Sequence, residues 1–350
     1  MKTQSDSIAQ SVQNYLESDK AFVFYRKKNA DKVVALIQND GQLHTTTSFT
    51  ETGFVMAPFD CTKKAILLPC SETQKEFYTV FAQKKVSELT AYQIDELERK
   101  RYQGLVEKTV AFIREEKGDK VVISRKVDRT FSRSSVGNLF EILLNEYPEA
   151  MVYIWHHPKV GLWIGASPER MLCVYKDSFS TMALAGTQLK SDNPIWKPKE
   201  KDEQQFVTDF ITDQLIPVAH HLEISEPYTE FTGHLAHIRT DINAIIADNT
   251  SLRDLIFRLH PTPAVCGTPR NIAKEYILQK EAYDRAFYTG FLGELNLHEN
   301  TDLYVNVRCM QLSDTLAHIY IGGGITKDSD PNKEWEETYQ KSLILAKFLG

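Results

Sequence analysis

Residues 151–187 read MVYIWHHPKVGLWIGASPERMLCVYKDSFSTMALAGT. Four short apolar runs stand in this stretch, at 151–156, 162–166, 171–175 and 179–183. Each has the length of a strand, and the links between them are of hairpin length. Strands grouped this closely pair antiparallel, because a parallel pair needs a long crossover. The grouping recurs on either side. Strands are expected at 22–25, 32–38, 54–58 and 65–68, at 121–124, and again at 287–295, 303–312 and 316–321. Between the groups lie helical patterns. Tyr102, Leu105, Val106, Thr109, Val110 and Ile113 form one apolar stripe, stopped by Gly118. Further helices are expected over 136–146, with Ser134 or Ser135 as cap and Pro148 beyond the end, and over 201–221, 252–259, 270–279 and 331–349. The class is therefore α+β with large, mainly antiparallel β-sheets. After a polar stretch at 71–95, residues 96–350 are expected to form the catalytic unit. Residues 1–95 are expected to add strands to the same body.

The bulk properties narrow the function. A chain of 350 residues can bury a large core in one or two domains. Its net charge of -6, with no basic tract, argues against nucleic acid or an anionic membrane as partner. An anionic substrate would need cations placed locally. No apolar run reaches membrane-span length, and residues 1–20 lack a signal-peptide core. The cysteines Cys61, Cys70, Cys173, Cys266 and Cys309 are dispersed, with no CxxC pair. That fits reduced thiols in a cytoplasmic protein and speaks against a zinc site. The expected state is a monomer, or at most a weak homodimer.

Several residues can carry chemistry, and each also has a plain structural reading. Gly322-Gly323-Gly324-Ile325 follows a strand and precedes a helix on which Glu334, Glu337 and Lys341 share a face. The glycines can be a turn that lets backbone approach a ligand. Two carboxylates can hold a divalent metal and the lysine can meet an anion. Glu337–Lys341 is equally an ordinary surface pair. Lys120 enters a buried strand. A lysine that acts as a base must bring its pKa from ~10.4 to near 7, at a cost of roughly 4 kcal/mol, which burial can supply. Otherwise it is a solvated strand-edge lysine. Glu169, in Gly165-Ala-Ser-Pro-Glu-Arg170, sits at the tip of a turn fixed by small residues and proline. Apolar surroundings would keep it protonated as a general acid, whereas beside Arg170 it can be a surface pair. Ala185-Gly186-Thr187 offers a backbone N–H and a hydroxyl, or only a β-turn. Glu203 starts a helix, where acids suit the helix dipole, or it joins Glu337 on Mg²⁺. His260 opens a rigid loop, His260-Pro-Thr-Pro-Ala-Val-Cys-Gly267, or merely caps a helix. Arg308, expected inside a strand, needs a carboxylate from substrate or from the protein. His156-His157 and the pair His234/His237 lack a third ligand and read as structural.

The order of these motifs resembles the chorismate-utilising enzymes, the family of isochorismate, salicylate, anthranilate and aminodeoxychorismate synthases. The matching residues are Lys120-Val-Val-Ile-Ser-Arg125, Gly165–Arg170, Ala185-Gly-Thr187, the helix with Glu200, Glu203 and Val207, the loop 260–267, Glu281/Asp284-Arg285, Val307-Arg308-Cys309, Gly322–Ile325 and Glu334-Trp-Glu-Glu-Thr-Tyr-Gln-Lys341. They run from about residue 120 to the C-terminus. The resemblance implies an anthranilate synthase component I-like fold, with sheets packed face to face and helices outside. Lys120 stands where the water-adding members carry lysine and the ammonia-using type carries glutamine. Ala185 replaces the extra lysine of aminodeoxychorismate synthases, and the run His260-Pro-Thr-Pro-Ala-Val resembles isochorismate synthases more than salicylate synthases. Gln204 departs from the histidine common after the metal-binding glutamate and leaves Asp202 as a rival ligand.

The reading this implies is a Mg²⁺-dependent isochorismate synthase feeding menaquinone or a siderophore. Lys120 would be the base that activates water at C2, and Glu169 the acid at the C4 hydroxyl. Glu203 and Glu337 would hold the metal, with Glu334 in support. The ring carboxylate would meet Lys341 and backbone at Gly186 and Gly323, with Thr187, His260 and Ala264 also around the substrate. Arg308 and Tyr288 would hold the enolpyruvyl carboxylate. The rivals are a salicylate synthase, which goes on to eliminate pyruvate, and a non-catalytic protein that keeps the fold. A nucleotide site at Gly322–Gly324 lacks the P-loop lysine spacing.

Overall fold

A computed structural model describes residues 7–80, 92–232 and 235–349. Two large sheets dominate it. The first runs, in spatial order, Gly267–Thr268, Lys120–Thr130, Leu316–Ile325, Cys309–Leu312, Gly161–Ser167, Met151–His157, Phe22–Arg26, Lys32–Gln38 and Thr73–Thr79. The second runs Ala219–Ile224, Leu235–Ile246, Ser178–Leu189, Arg170–Tyr175, Asn300–Val305, Phe291–Leu297, Gly53–Ala57, Ala65–Pro69 and His44–Thr46, with Tyr228–Thr232 also paired to Leu235–Ile246. Every pairing among the described residues is antiparallel. Strands from the first 80 residues enter both sheets.

The period of two along each strand sorts side chains between layers. Phe22 and Phe24 face outward onto helices Ile8–Glu17 and Val136–Glu146, where Val12, Leu16, Phe140 and Leu143 meet them. Val23 and Tyr25, on the other face, pack between the sheets with Phe54, Met56, Trp155, Trp163, Leu292 and Tyr304. This is why Phe22–Arg26 is buried at every position. The outer face of the second sheet is covered by helices Pro198–Leu215 and Leu252–Leu259 through Val207, Ile211, Leu255 and Leu259. Helix Glu96–Phe112, capped by Asp95, lays Tyr102, Val106 and Val110 against Val121, Ile123 and Trp335. The layers are thus sheet on sheet with helices outside, as expected from the sequence.

Several local expectations are corrected. The helix expected over 201–221 stops at Leu215. Pro217 lies in a 3₁₀ turn, Ile216–Val218, and the chain leaves it as a strand. Strands Ala219–Ile224, Tyr228–Thr232 and Leu235–Ile246 were not anticipated, nor was Thr73–Thr79 in the polar stretch. The run 303–312 is two strands, Asn300–Val305 and Cys309–Leu312, and they belong to different sheets. Gly322–Gly324 do not turn. They lie inside strand Leu316–Ile325, opposite Ser124, Ile123 and Val122. Gly186 likewise lies within a strand, Ser178–Leu189, at a bulge where its φ of +67° suits glycine. Ser135 precedes helix Val136–Glu146 but its side chain makes no cap bond.

Candidate active site

The chain steps between the two sheets at two adjacent places, and each step carries a candidate residue. Gly161–Ser167 ends in the first sheet and Arg170–Tyr175 begins in the second, so Pro168 and Glu169 form the step. Asn300–Val305 ends in the second sheet and Cys309–Leu312 begins in the first, so Asn306 to Arg308 form the return step. The steps are laced together. Val305 N–H donates to the Glu169 carbonyl at 3.0 Å, Ala166 N–H to the Arg308 carbonyl at 3.1 Å, and Ser167 Oγ to the Val305 carbonyl at 2.6 Å. Arg308 has a left-handed backbone, φ +51°, a conformation unusual for a residue with a Cβ. Such local strain persists only where surrounding structure holds it.

A cavity of about 760 Å³ lies against these steps, a size typical of small-molecule sites. Lys120, Glu169, Gly186, Thr187, Glu203, Ala264, Tyr288, Arg308, Glu334, Glu337 and Lys341 all line it. Acidic side chains outnumber basic ones along its wall, the basic ones being Lys120, Lys199, Arg308 and Lys341.

Glu169 is 7% exposed. Burial pushes its carboxyl up to about 7, against the pull of a 3.4 Å bond from Thr262 Oγ1 and the charges of Lys120 and Arg308. It is therefore a carboxyl able to keep a proton near neutrality. Arg308 has no carboxylate partner among the described residues. Its Nη2 instead donates to His237 Nε2 at 2.9 Å. Burial and Arg308 lower the His237 pKa to about 3, so the ring is neutral. With Nε2 accepting, the proton is assigned to Nδ1, which lies 3.1 Å from the Gly186 carbonyl and 3.2 Å from Thr187 Oγ1. The Tyr288 hydroxyl makes no hydrogen bond among the described residues, and the ring stacks on Tyr320 at 5.3 Å. A guanidinium and a phenol left open to one cavity are suited to an anion.

The remaining candidates form a second bonded group along the same cavity. Lys120 Nζ donates to Glu203 Oε1 at 2.5 Å. Lys341 Nζ donates to Glu337 Oε1 at 2.6 Å and to the Gly322 carbonyl at 3.3 Å. Burial raises the Glu203 pKa, but Lys120 and Lys341 outweigh it and hold the carboxyl below its ordinary value. Lys341 does the same for Glu337, against burial. Glu334 goes the other way: burial raises it, while Ser329 Oγ donates to its Oε1 at 2.7 Å. Among the described residues no three acidic, histidine or cysteine side chains already form a metal cage.

Three expectations change here. His260 does not reach this cavity. It is buried elsewhere, its Nε2 3.3 Å from the Pro58 carbonyl and its ring edge-on to Phe291, an arrangement that gives it a structural role. The α-carbon of Gly323 faces Tyr102 and Glu334, whereas its neighbours Gly322 and Gly324 face Tyr288 and Lys120. His237, read as structural, is a cavity residue that links Arg308 to Gly186. Its partner in the sequence reading, His234, lies outside the described residues. Lys199 and Thr262 were also missed. The alternation of Ile238, Thr240, Ile242 and Ala244 was the available signal for the strand carrying His237.

A family model described as "Chorismate binding enzyme" matches residues 44–350. The chain is 31% identical over 264 residues to a protein of Pseudomonas aeruginosa named salicylate biosynthesis isochorismate synthase, covering 72% of this chain and 55% of that one. It is 28% identical over 267 residues to isochorismate synthase EntC of Escherichia coli, covering 72% of this chain and 68% of the relative. The chain thus spans roughly half to two thirds of the length of these relatives. Among solved structures, MenF of Escherichia coli, described as a menaquinone-specific isochorismate synthase, superposes with a TM-score of 0.81 at 20% identity, over 100% of this chain and 92% of that one. Anthranilate synthase component I of Streptococcus pneumoniae superposes with a TM-score of 0.70 at 15% identity, over 98% and 94%. Both structures share the fold.

Proposed function

This chain belongs to the chorismate-binding enzyme family, and from that premise we propose that it is an isochorismate synthase. The observation that carries the reading is the company Glu169 keeps. A carboxyl poised near neutrality shares one cavity with an amine, Lys120, and with a guanidinium, Arg308, that lacks a protein carboxylate. Chorismate needs each of these: a base, an acid and a cation for its enolpyruvyl carboxylate.

The reaction moves a hydroxyl from C4 to C2 of the ring. Lys120, released from Glu203 and in its neutral form, takes a proton from water as the oxygen bonds to C2. The ring double bond shifts, the C4–O bond breaks, and Glu169 gives its proton to the departing hydroxyl. One water enters and one leaves, so substrate and product are isomers. Each acid–base role is typically worth ~10²–10⁴-fold in rate. Arg308 and Tyr288 hold the enolpyruvyl carboxylate, with His237 keeping the guanidinium aimed. Lys341 and the bulge at Gly186 meet the ring carboxylate. The product would feed a menaquinone or siderophore route.

The donor set fits Mg²⁺, which takes carboxylate oxygens, keeps several waters and needs no closed protein cage. Glu203 and Glu337 would hold it, with Glu334 supporting from the same helix as Glu337. Bound there, the ion would neutralise a predominantly acidic wall and anchor a carboxylate of the dianion. Glu203 and Glu337 are available as carboxylates, since both are held below their ordinary pKa.

The test is to incubate the protein with chorismate and Mg²⁺ and to separate the products by chromatography. Isochorismate alone is expected. Salicylate with pyruvate would replace the reading with a salicylate synthase, and unaltered chorismate would leave a non-catalytic member of the family.

A further inference from the structure

Glu281 and Arg285 lie outside the cavity and take no part in the chemistry above, yet they form a buried charged pair with an unusually full set of hydrogen bonds. Both side chains are 2% exposed. Arg285 Nε donates to Glu281 Oε2 at 2.8 Å, and Nη2 donates to Glu281 Oε1 at 2.6 Å. The other N–H groups go to main chain and one hydroxyl. Nη2 also donates to the Val122 carbonyl at 2.6 Å, and Nη1 to the Val265 carbonyl at 3.0 Å and to Thr289 Oγ1 at 3.1 Å. Each N–H of the guanidinium therefore has an acceptor. Glu281 Oε1 is bound in turn by Ser124 N–H at 2.7 Å and Ser124 Oγ at 2.9 Å.

What these partners have in common is the cavity. Val122, Val265 and Thr289 all line it, and they come from three separate segments. Val122 stands two residues from Lys120 on the same strand face. Val265 follows Ala264, and Thr289 follows Tyr288. The planar fork of one arginine can span three segments at fixed angles, which the point charge of lysine cannot. We infer that Arg285, held in place by Glu281, is a positioning residue: it sets the strand of Lys120, the loop of Ala264 and the segment of Tyr288 at the spacing the reaction requires. The inference rests on the isochorismate synthase reading.

The experiment compares wild type with Arg285→Lys, Arg285→Ala, Ser124→Ala and Asp284→Asn. The measurements are kcat and KM for chorismate, with thermal unfolding to count folded protein. Misplacement of reacting groups by about an ångström can cost 10²-fold, so Arg285→Lys is expected to lose about that factor in kcat per folded molecule. Arg285→Ala should regain part of its kcat in millimolar guanidinium but not in the same concentration of potassium chloride. A residue that only added stability would lower the melting temperature and leave kcat per folded molecule unchanged. Ser124→Ala loosens the clamp without stranding a buried charge, so it reports even where the arginine variants fail to fold. Its kcat should fall several-fold. Asp284, from the same sequence motif, pairs at the surface with Lys63, and Asp284→Asn should match wild type. Wild-type kcat in folded Arg285→Lys, or in Ser124→Ala where the arginine variants do not fold, overturns the inference alone. Wild-type protein inert toward chorismate overturns the functional reading and this inference with it.

Discussion

At the scale of single residues, the acid role proposed for Glu169 ties stability to catalysis with opposite signs. Its pKa rises from an ordinary 4.5 to about 7 on folding. Below pH 4.5 both folded and unfolded chains hold the proton. Between 4.5 and 7 the unfolded chain releases it and the folded chain does not, so stability falls as pH rises through that window. The loss is complete above pH 7 and is on the order of 3 kcal/mol. Glu169→Gln removes the penalty. The variant should be the more stable protein at pH 8, no more stable at pH 4, and slower by ~10²–10⁴-fold. Urea unfolding at the two pH values checks the first part; a variant less stable than wild type at pH 8 would sink it. For wild type, kcat/KM should decline with a one-proton slope above about pH 7, and a profile flat to pH 9 would count against Glu169 as the acid. Lys120→Gln should abolish water addition while chorismate still binds, which a product assay and fluorescence titration would separate. Most of the candidate residues along the cavity were legible as residue types in a fixed order, from Lys120 to Lys341. The two histidines were not. His237 lies within a strand and His260 at the end of a helix, and no local spacing encodes which of the two reaches the cavity. Arg308 was legible as a cation in need of a partner, but its place at the step between sheets, with φ +51°, was not.

At the scale of elements, the strand Leu316–Ile325 shows what its glycines are for. Their backbone is extended, so freedom of φ is not the reason. Room is. A Cβ on Gly322 would stand 2.8 Å from the Tyr288 hydroxyl, and one on Gly324 2.7 Å from Lys120 Cε. A Cβ on Gly323, on the opposite face, would meet Tyr102 at 3.2 Å. Gly324→Ala should therefore displace the end of the Lys120 side chain from Glu203, a flexible group that can move at little cost in stability. The expected result is a kcat at least ten-fold lower with a melting temperature near wild type. Gly323→Ala should leave kcat nearly intact. Equal kcat for the two alanine variants would refute the assignment of faces. The strands and helices themselves were legible where hydrophobic period and punctuation agreed, as in Lys32–Gln38, Val136–Glu146 and Leu252–Leu259. They were misread where two periods coincided. Ile211, Leu215 and Val218 continue a helical spacing, but Pro217 and the β-bonded segment after it end the helix. The run 303–312 is continuous in sequence and divided in space, because the return step between sheets is only three residues, Asn306 to Arg308, with no glycine or proline to mark it.

At the scale of the whole molecule, the two sheets and their steps hold different parts of one site. Lys120 and the glycine strand belong to the first sheet, Gly186 and His237 to the second, and Glu169 and Arg308 to the steps between them. Glu203 and Glu337 come from helices on different elements again. A dianion alone meets a wall on which acidic groups outnumber basic ones, and a divalent ion alone meets two carboxylates already paired with lysines. Each ligand therefore lowers the cost of binding the other, and such coupling is reciprocal. Ligands that bind only the folded state raise its stability according to concentration over Kd. Chorismate and Mg²⁺ together should raise the melting temperature by more than the sum of their separate shifts. Adding Mg²⁺ should tighten chorismate by the same factor that chorismate tightens Mg²⁺. Glu337→Gln keeps the size of the side chain and removes one carboxylate, so it should abolish most of the synergy while leaving the ligand-free melting temperature close to wild type. Titrations of each ligand at fixed concentrations of the other measure the coupling directly. Additive shifts in wild type, or undiminished synergy in Glu337→Gln, would show that the acidic face of this cavity does not hold the ion.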